Sequence, residues 1–105
     1  MTWHVARDYC ESLGGHLARI ESRDEMEFIA NFCGNAQNLW LDGTDEIEEG
    51  IWMFTNTKPV DQRVLNWHQG NGPRNGNAHH YLRIWEGEII DSGSERVHFV
   101  VEWDK

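Results

Sequence analysis

Between Thr55 and His80 the chain runs for about two dozen residues with Pro59, Pro73, three glycines and five asparagines. Only Val60, Val64, Leu65 and Trp67 stand in that stretch as large apolar anchors. A loop this long is uncommon in a compact domain, and such loops usually carry function on a scaffold built elsewhere. At 105 residues the chain can build one core and not two, so one folded unit spanning 1–105 must supply that scaffold.

The scaffold is written in two helical patterns followed by short strands. Trp3, Ala6, Cys10 and Leu13 recur at helical spacing, with Thr2 placed to cap the start and Gly14-Gly15 to stop the run. Ser22 followed by Glu25 predicts a capping box, and Met26, Ile29, Ala30 and Cys33 then share one face up to Gly34. From Leu39 the apolar runs shorten: Leu39 to Leu41, Ile51 to Phe54, Tyr81 to Trp85, Ile89 to Ile90 and Val97 to Trp103. These are expected to be strands, turned at Glu86-Gly87 and Ser92-Gly93, and helices followed by strands favour an α+β layout. There is no internal repeat and no low-complexity tract.

Eighteen acidic against nine basic residues give a formal net charge of -9. With no run of Lys or Arg to follow phosphates, nucleic acid and anionic membrane surfaces are not expected partners. No apolar stretch is long enough for a transmembrane helix, and the first residues do not have the form of a signal peptide. Both cysteines, Cys10 and Cys33, fall on apolar helical stripes, so two core thiols are expected rather than one disulfide. Reduced thiols suit the cytosol, although an exported domain can also lack disulfides, and the compartment stays open.

Several separated motifs, in order, resemble the C-type lectin-like domains. Thr2-Trp3-His4-Val5-Ala6, Tyr9-Cys10 and the run from Gly14 to Ile20 resemble the family's first helix and its exit. Leu39-Trp40-Leu41-Asp42-Gly43-Thr44-Asp45 with Glu49-Gly50-Ile51-Trp52 resembles its tryptophan-centred strand and the hairpin after it. Asn66-Trp67, Pro73, Asp91 and the terminal Phe99-Val100-Val101-Glu102-Trp103 fall where the long loop and last strand would lie. The resemblance covers nearly the whole chain. It implies a C-type-lectin-like fold of two helices flanking small antiparallel sheets, with a long recognition loop.

The chain also departs from the family. An opening strand that would pair with the last one is missing before Trp3, which implies either a longer parent protein or a sheet edge needing protection. The family's cysteine pairs cannot form: Cys10 matches a half-cystine whose partner position holds Val101, and Tyr81 stands where a loop cysteine belongs. Core packing must replace those staples.

The family's principal calcium ion is held by an acid-Pro-amide triplet, a later glutamate and an Asn-Asp pair, and calcium takes six to eight oxygens. Here those positions read Gly72-Pro73-Arg74, His79 and Ile90-Asp91, so Asp91 alone survives as a side-chain ligand. A weak auxiliary calcium position is implied at Asp45, Glu49 and Asn75, beside His79 or His80. The simpler alternative is a solvated acidic hairpin over Asp45, Glu46, Glu48 and Glu49. Imidazole suits zinc, copper or nickel better than calcium, so His79 and His80 with Asp45 or Glu49 form another candidate, although adjacent residues on a strand point opposite ways. His4, His16, His68 and His98 show no ligand spacing.

No nucleophile sits beside a base, no paired acids mark a cleft and no glycine-rich phosphate cradle follows a strand, so an enzyme is not expected. What remains is a loop surface of Trp67, His68, Asn71, Arg74, Asn75, Asn77, His79 and His80, joined by Asp91. Aromatic, Arg and amide side chains can hold a partner without a metal. The function expected is therefore a non-catalytic recognition module binding a protein or glycan ligand, with no principal calcium site and no required cofactor. A carbohydrate-binding lectin with a degenerate calcium site ranks second, and a metal-dependent enzyme third. The residues leave the oligomeric state open.

Overall fold

The computed structural model describes residues 1–33, 38–68, 79–93 and 97–103, and for Cys33 the backbone alone. Helix α1 spans Trp3–Ser12 and helix α2 Arg23–Cys33, with the two-residue strand β1, His16–Leu17, between them. Strand β2 is Asn38–Thr44, and a 3-10 turn at Gln62–Val64 precedes the hairpin of β3, Tyr81–Trp85, and β4, Glu88–Ser92. The chain ends in β5, His98–Phe99, and β6, Val101–Glu102. Among the described residues no helix is long and apolar enough to cross a membrane.

Helix α1 buries Trp3, Ala6 and Cys10, the stripe that its spacing predicts. Leu13 does not follow it: the helix ends at Ser12 and Leu13 is exposed. Thr2 occupies the N-cap position with extended backbone, but its hydroxyl makes no capping bond, and only its carbonyl enters the helix by accepting from the Ala6 N–H at 2.9 Å. At the far end, a Cβ on Gly15 would come within 2.7 Å of the Glu102 carbonyl oxygen, so only glycine lets β6 pass this close.

The capping box of α2 is half formed. Ser22 Oγ accepts from the Glu25 N–H at 3.2 Å, but the Glu25 carboxylate takes the N–H of Glu21 rather than that of Ser22. Met26 and Ile29 are buried and Ala30 packs beside them, as the pattern predicts.

Strand β2 organises the molecule. The four-stranded sheet runs β4-β3-β2-β5, and β1 pairs with β6 in a separate antiparallel ribbon. The expectation of purely antiparallel sheets fails at one place, because β5 pairs with β2 in parallel through Leu39 with His98 and Trp40 with Phe99. The expected single strand from Val97 to Trp103 is two short strands, one in each sheet, since the chain passes from one layer to the other at Val100. The Ile51–Phe54 run is also not a strand; Met53 makes only isolated bridges to Thr44 and Pro59. The β3–β4 hairpin turns at Glu86 and Gly87, both with positive φ (52° and 78°), the geometry of a two-residue turn that matches strand twist.

Successive residues of β2 face opposite ways. Leu39 and Leu41 join one apolar cluster with Met26, Ile29, Trp52, Leu82, Ile84 and Ile89, while Trp40 joins a second with Trp3, Ala6, Cys10, Leu17 and Val97. Each Leu or Ile so buried contributes roughly 1.5–3 kcal/mol relative to exposure. Two indoles stitch the layers: Trp3 Nε1 donates to the Leu41 carbonyl and Trp40 Nε1 to that of Met1, both at 2.9 Å. Cys10 is a free, buried thiol, and Val101 and Tyr81 pack against its cluster. Apolar contact thus stands where the family's cysteines would be. Burial also raises the Cys10 thiol above its ordinary range, which keeps it protonated.

Candidate functional site

The end of β2 brings two buried aspartates onto one short stretch. Asp42 accepts from Arg19 Nε at 2.6 Å, and from the N–H and hydroxyl of Thr55 at 2.9 and 3.0 Å. That ion pair is fully enclosed and ties the segment after β1 to the hairpin following β2. It was not read from the sequence, where Arg19 and Asp42 are merely two charges far apart.

Three residues on, Asp45 is 3% exposed. The solvated acidic hairpin considered from the sequence is therefore wrong for Asp45, because the backbone draws it inward: its N–H donates to the His80 carbonyl at 3.2 Å. Its Oδ2 accepts from the Gly50 N–H at 3.0 Å and its Oδ1 lies 2.9 Å from His80 Nδ1. Glu49 Oε2 lies 3.6 Å from the same imidazole nitrogen. Burial pushes the Asp45 carboxyl up, but hydrogen bonds from Glu49, Gly50 and His80 outweigh it and hold it below the usual carboxylate range. The hydrogen bond to Asp45 raises its exposed partner Glu49.

Beside this cluster, Glu46 accepts from the Tyr81 hydroxyl at 2.8 Å and contacts His4 at 2.8 Å. Burial and then the Glu46 carboxylate push the Tyr81 hydroxyl up to about 12. The ring of Tyr81 stacks on Trp3 at 4.9 Å, so the acidic hairpin is anchored to α1.

On the far side of the β3–β4 hairpin a cleft of about 270 Å³ is lined by His68, His79, Arg83, Trp85, Ile90, Asp91 and Ser92. Leu82 and Ile84 face the core, so strand alternation sends Arg83 and Trp85 to this opposite face. Arg83 Nε is buried in the wall with no hydrogen-bond partner among the described residues. The ring of His68 meets Trp85 edge-on at 5.1 Å and its Nδ1 lies 2.9 Å from Glu88. Neither Arg83 nor Trp85 was singled out from the sequence, although the alternation in Tyr81-Leu82-Arg83-Ile84-Trp85 carries the signal.

Of the loop residues expected to contact a ligand, His68, His79 and Asp91 line this cleft. Asp91 is itself 3% exposed, so it forms wall more than rim. Trp67 is half-buried against the core, 6.5 Å from the Trp52 ring and bridged to Ile89, which is the tether its composition suggests. His80 turns away from His79 to Asp45, as the strand argument against joint ligation by the two histidines required. Asn71, Arg74, Asn75 and Asn77 lie outside the described residues.

The model for the Lectin C-type domain matches residues 1–101. The chain belongs to that family. This C-type lectin domain is 35% identical over 71 residues to C-type lectin domain family 4 member F of Rattus norvegicus, covering 66% of this chain and 13% of that protein. It spans between 10% and 37% of the length of the first curated relatives it matches. Among solved structures it superposes on a calcium-independent type II antifreeze protein with a TM-score of 0.80 at 26% identity, over 96% of this chain and 76% of that one. The cow C-type carbohydrate-recognition domain of CD23, solved with a GlcNAc2Man3 oligosaccharide, gives 0.79 at 27% identity, over 96% and 78%.

The family's calcium does not fit this lectin domain's described donors. Calcium takes six to eight oxygens. At the principal position Asp91 stands with His79 where a glutamate is expected, and at the auxiliary position two carboxylates share their space with an imidazole nitrogen.

Proposed function

We propose that this C-type lectin domain is a non-catalytic recognition module that binds a glycan or protein ligand in the cleft beside β3 and β4, without calcium. The observation that carries this is Arg83 Nε, a buried donor with no partner among the described residues, in a wall completed by His68, His79 and Trp85. An unmet buried donor costs free energy, and a ligand carboxylate, sulfate or carbonyl oxygen placed there offsets that cost. Trp85 offers an indole for an apolar or sugar face alongside it. Membership of a family whose matched relatives are lectins and related binding domains supports recognition rather than catalysis. Likeness to a calcium-independent protein and to a domain solved with an oligosaccharide supports both halves of the proposal.

The test is an array of neutral, carboxylated and sulfated glycans, probed with the domain in calcium and in the calcium chelator EGTA. Binding to acidic glycans should be the same in both. Arg83→Gln should weaken it by about 10-fold to 150-fold, the value of one charge-assisted hydrogen bond of roughly 1.5–3 kcal/mol. Binding that disappears in EGTA would favour the second reading, a sugar-binding lectin with a degenerate ion site. An array on which nothing binds would turn the search to protein ligands, tested by the same substitution.

A further inference from the structure

Asp45, Glu49 and His80 come from two distant stretches of chain and present three metal-ligating atoms within 4.8 Å of one another. We infer that they form a site for a zinc-class divalent ion that clips the hairpin after β2 to the start of β3. The inference concerns a different place from the Arg83 cleft and does not depend on ligand binding there.

The spacing is the first argument. With zinc bonds of about 2.0–2.1 Å to nitrogen and oxygen, tetrahedral donors stand roughly 3.3–3.4 Å apart. His80 Nδ1 lies 2.9 Å from Asp45 Oδ1 and 3.6 Å from Glu49 Oε2, so the observed separations bracket that value. Shifts of a few tenths of an ångström would seat the ion, with Nδ1 exchanging its hydrogen bond to Asp45 for a bond to the metal.

Preorganisation is the second. The Asp45 N–H donates to the His80 carbonyl and the His80 N–H to the Ser92 carbonyl at 3.0 Å, so the backbones bearing two ligands are locked together. Gly50 N–H holds the other Asp45 oxygen, as an outer partner of a ligating carboxylate should. Glu49 closes the set from the solvent side, which leaves the fourth position to water.

Charge is the third. Asp45 and Glu49 touch each other, an arrangement that requires a shared proton or a cation when both would otherwise be ionised. Two carboxylates and one imidazole match a borderline divalent ion. Calcium would need several further oxygens and would gain little from the nitrogen.

The test uses chelator-treated protein and the metals alone. Zn²⁺ should raise the unfolding temperature and Ca²⁺ should not, and Co²⁺ should develop the intense visible absorption of a tetrahedral site. His80→Asn and Glu49→Gln should each weaken zinc binding at least tenfold by calorimetry, while His79→Asn leaves it unchanged. Glu49 is exposed, so Glu49→Gln folds even if His80→Asn does not. The assignment is overturned if zinc does not bind the wild type, if it binds Glu49→Gln as tightly, if His79→Asn abolishes binding, or if calcium stabilises the protein as much as zinc does.

Discussion

Asp42 and Asp45 are three residues apart, both buried, and both complete a loop that leaves β2 and returns. Their partners differ in kind. Asp42 faces a guanidinium, which stays charged and can only donate, and two donors from Thr55. Asp45 faces an imidazole and a second carboxylate, both of which can change protonation and act as donor or acceptor. The first is a closed structural joint whose charges cancel within the protein. The second is adjustable, and its charge balance is left to a proton or an ion from solution.

The largest test of this contrast is Arg19→Met, which would leave the Asp42 carboxylate buried without its counter-charge. Breaking a buried pair from one side costs about 3–5 kcal/mol. Denaturant unfolding should show a loss of that size, and a loss below 1 kcal/mol would mean that Asp42 is not the joint its contacts describe.

A sharper test swaps each carboxylate for its amide. In Asp42→Asn the new NH₂ must face either Arg19 or the Thr55 N–H, and neither can accept, so the loss should approach that of Arg19→Met. In Asp45→Asn the amide oxygen can keep the Gly50 N–H while His80 changes tautomer and accepts from the NH₂. In the presence of a chelator, that variant should lie within about 1 kcal/mol of wild type, the value of one ordinary hydrogen bond. Equal losses from the two amides would erase the distinction.

The smallest effect is one of pH. Hydrogen bonding to Asp45 holds the Glu49 carboxyl above its ordinary value of 4.5, so its contribution to stability is full below pH 4.5 and is lost as pH rises through the folded value. Glutamine imitates the protonated acid at every pH. With a chelator present, Glu49→Gln should therefore melt above wild type at pH 7 and coincide with it at pH 4, and a gap that does not close in acid would remove the carboxylate contact from the account.

Local chemistry made some of this legible in advance. Helix α2 could be placed from Ser22, Glu25, Met26 and Ile29 because capping and apolar spacing act within a few residues. The Glu86-Gly87 turn was equally visible, since positive φ restricts which residues can stand there. Asp45, Glu49 and His80 were each named as candidate ligands, but which histidine would join the acids depended on how the β3 entry is oriented. Arg83 and the Arg19–Asp42 joint escaped notice because a charged residue reads as surface until its neighbours are known.

By itself the sequence determined the elements, the apolar faces of both helices, the absence of cysteine pairing at Cys10 and the stretch left over for recognition. Tertiary structure alone decided that β5 lies parallel to β2, that the last strand divides between two sheets, and that two aspartates three residues apart meet partners from opposite ends of the chain. The physical reason is range. Spacing, caps and turns are set by forces between near neighbours, whereas sheet order and the pairing of buried charges are settled only when distant segments compete for the same interior.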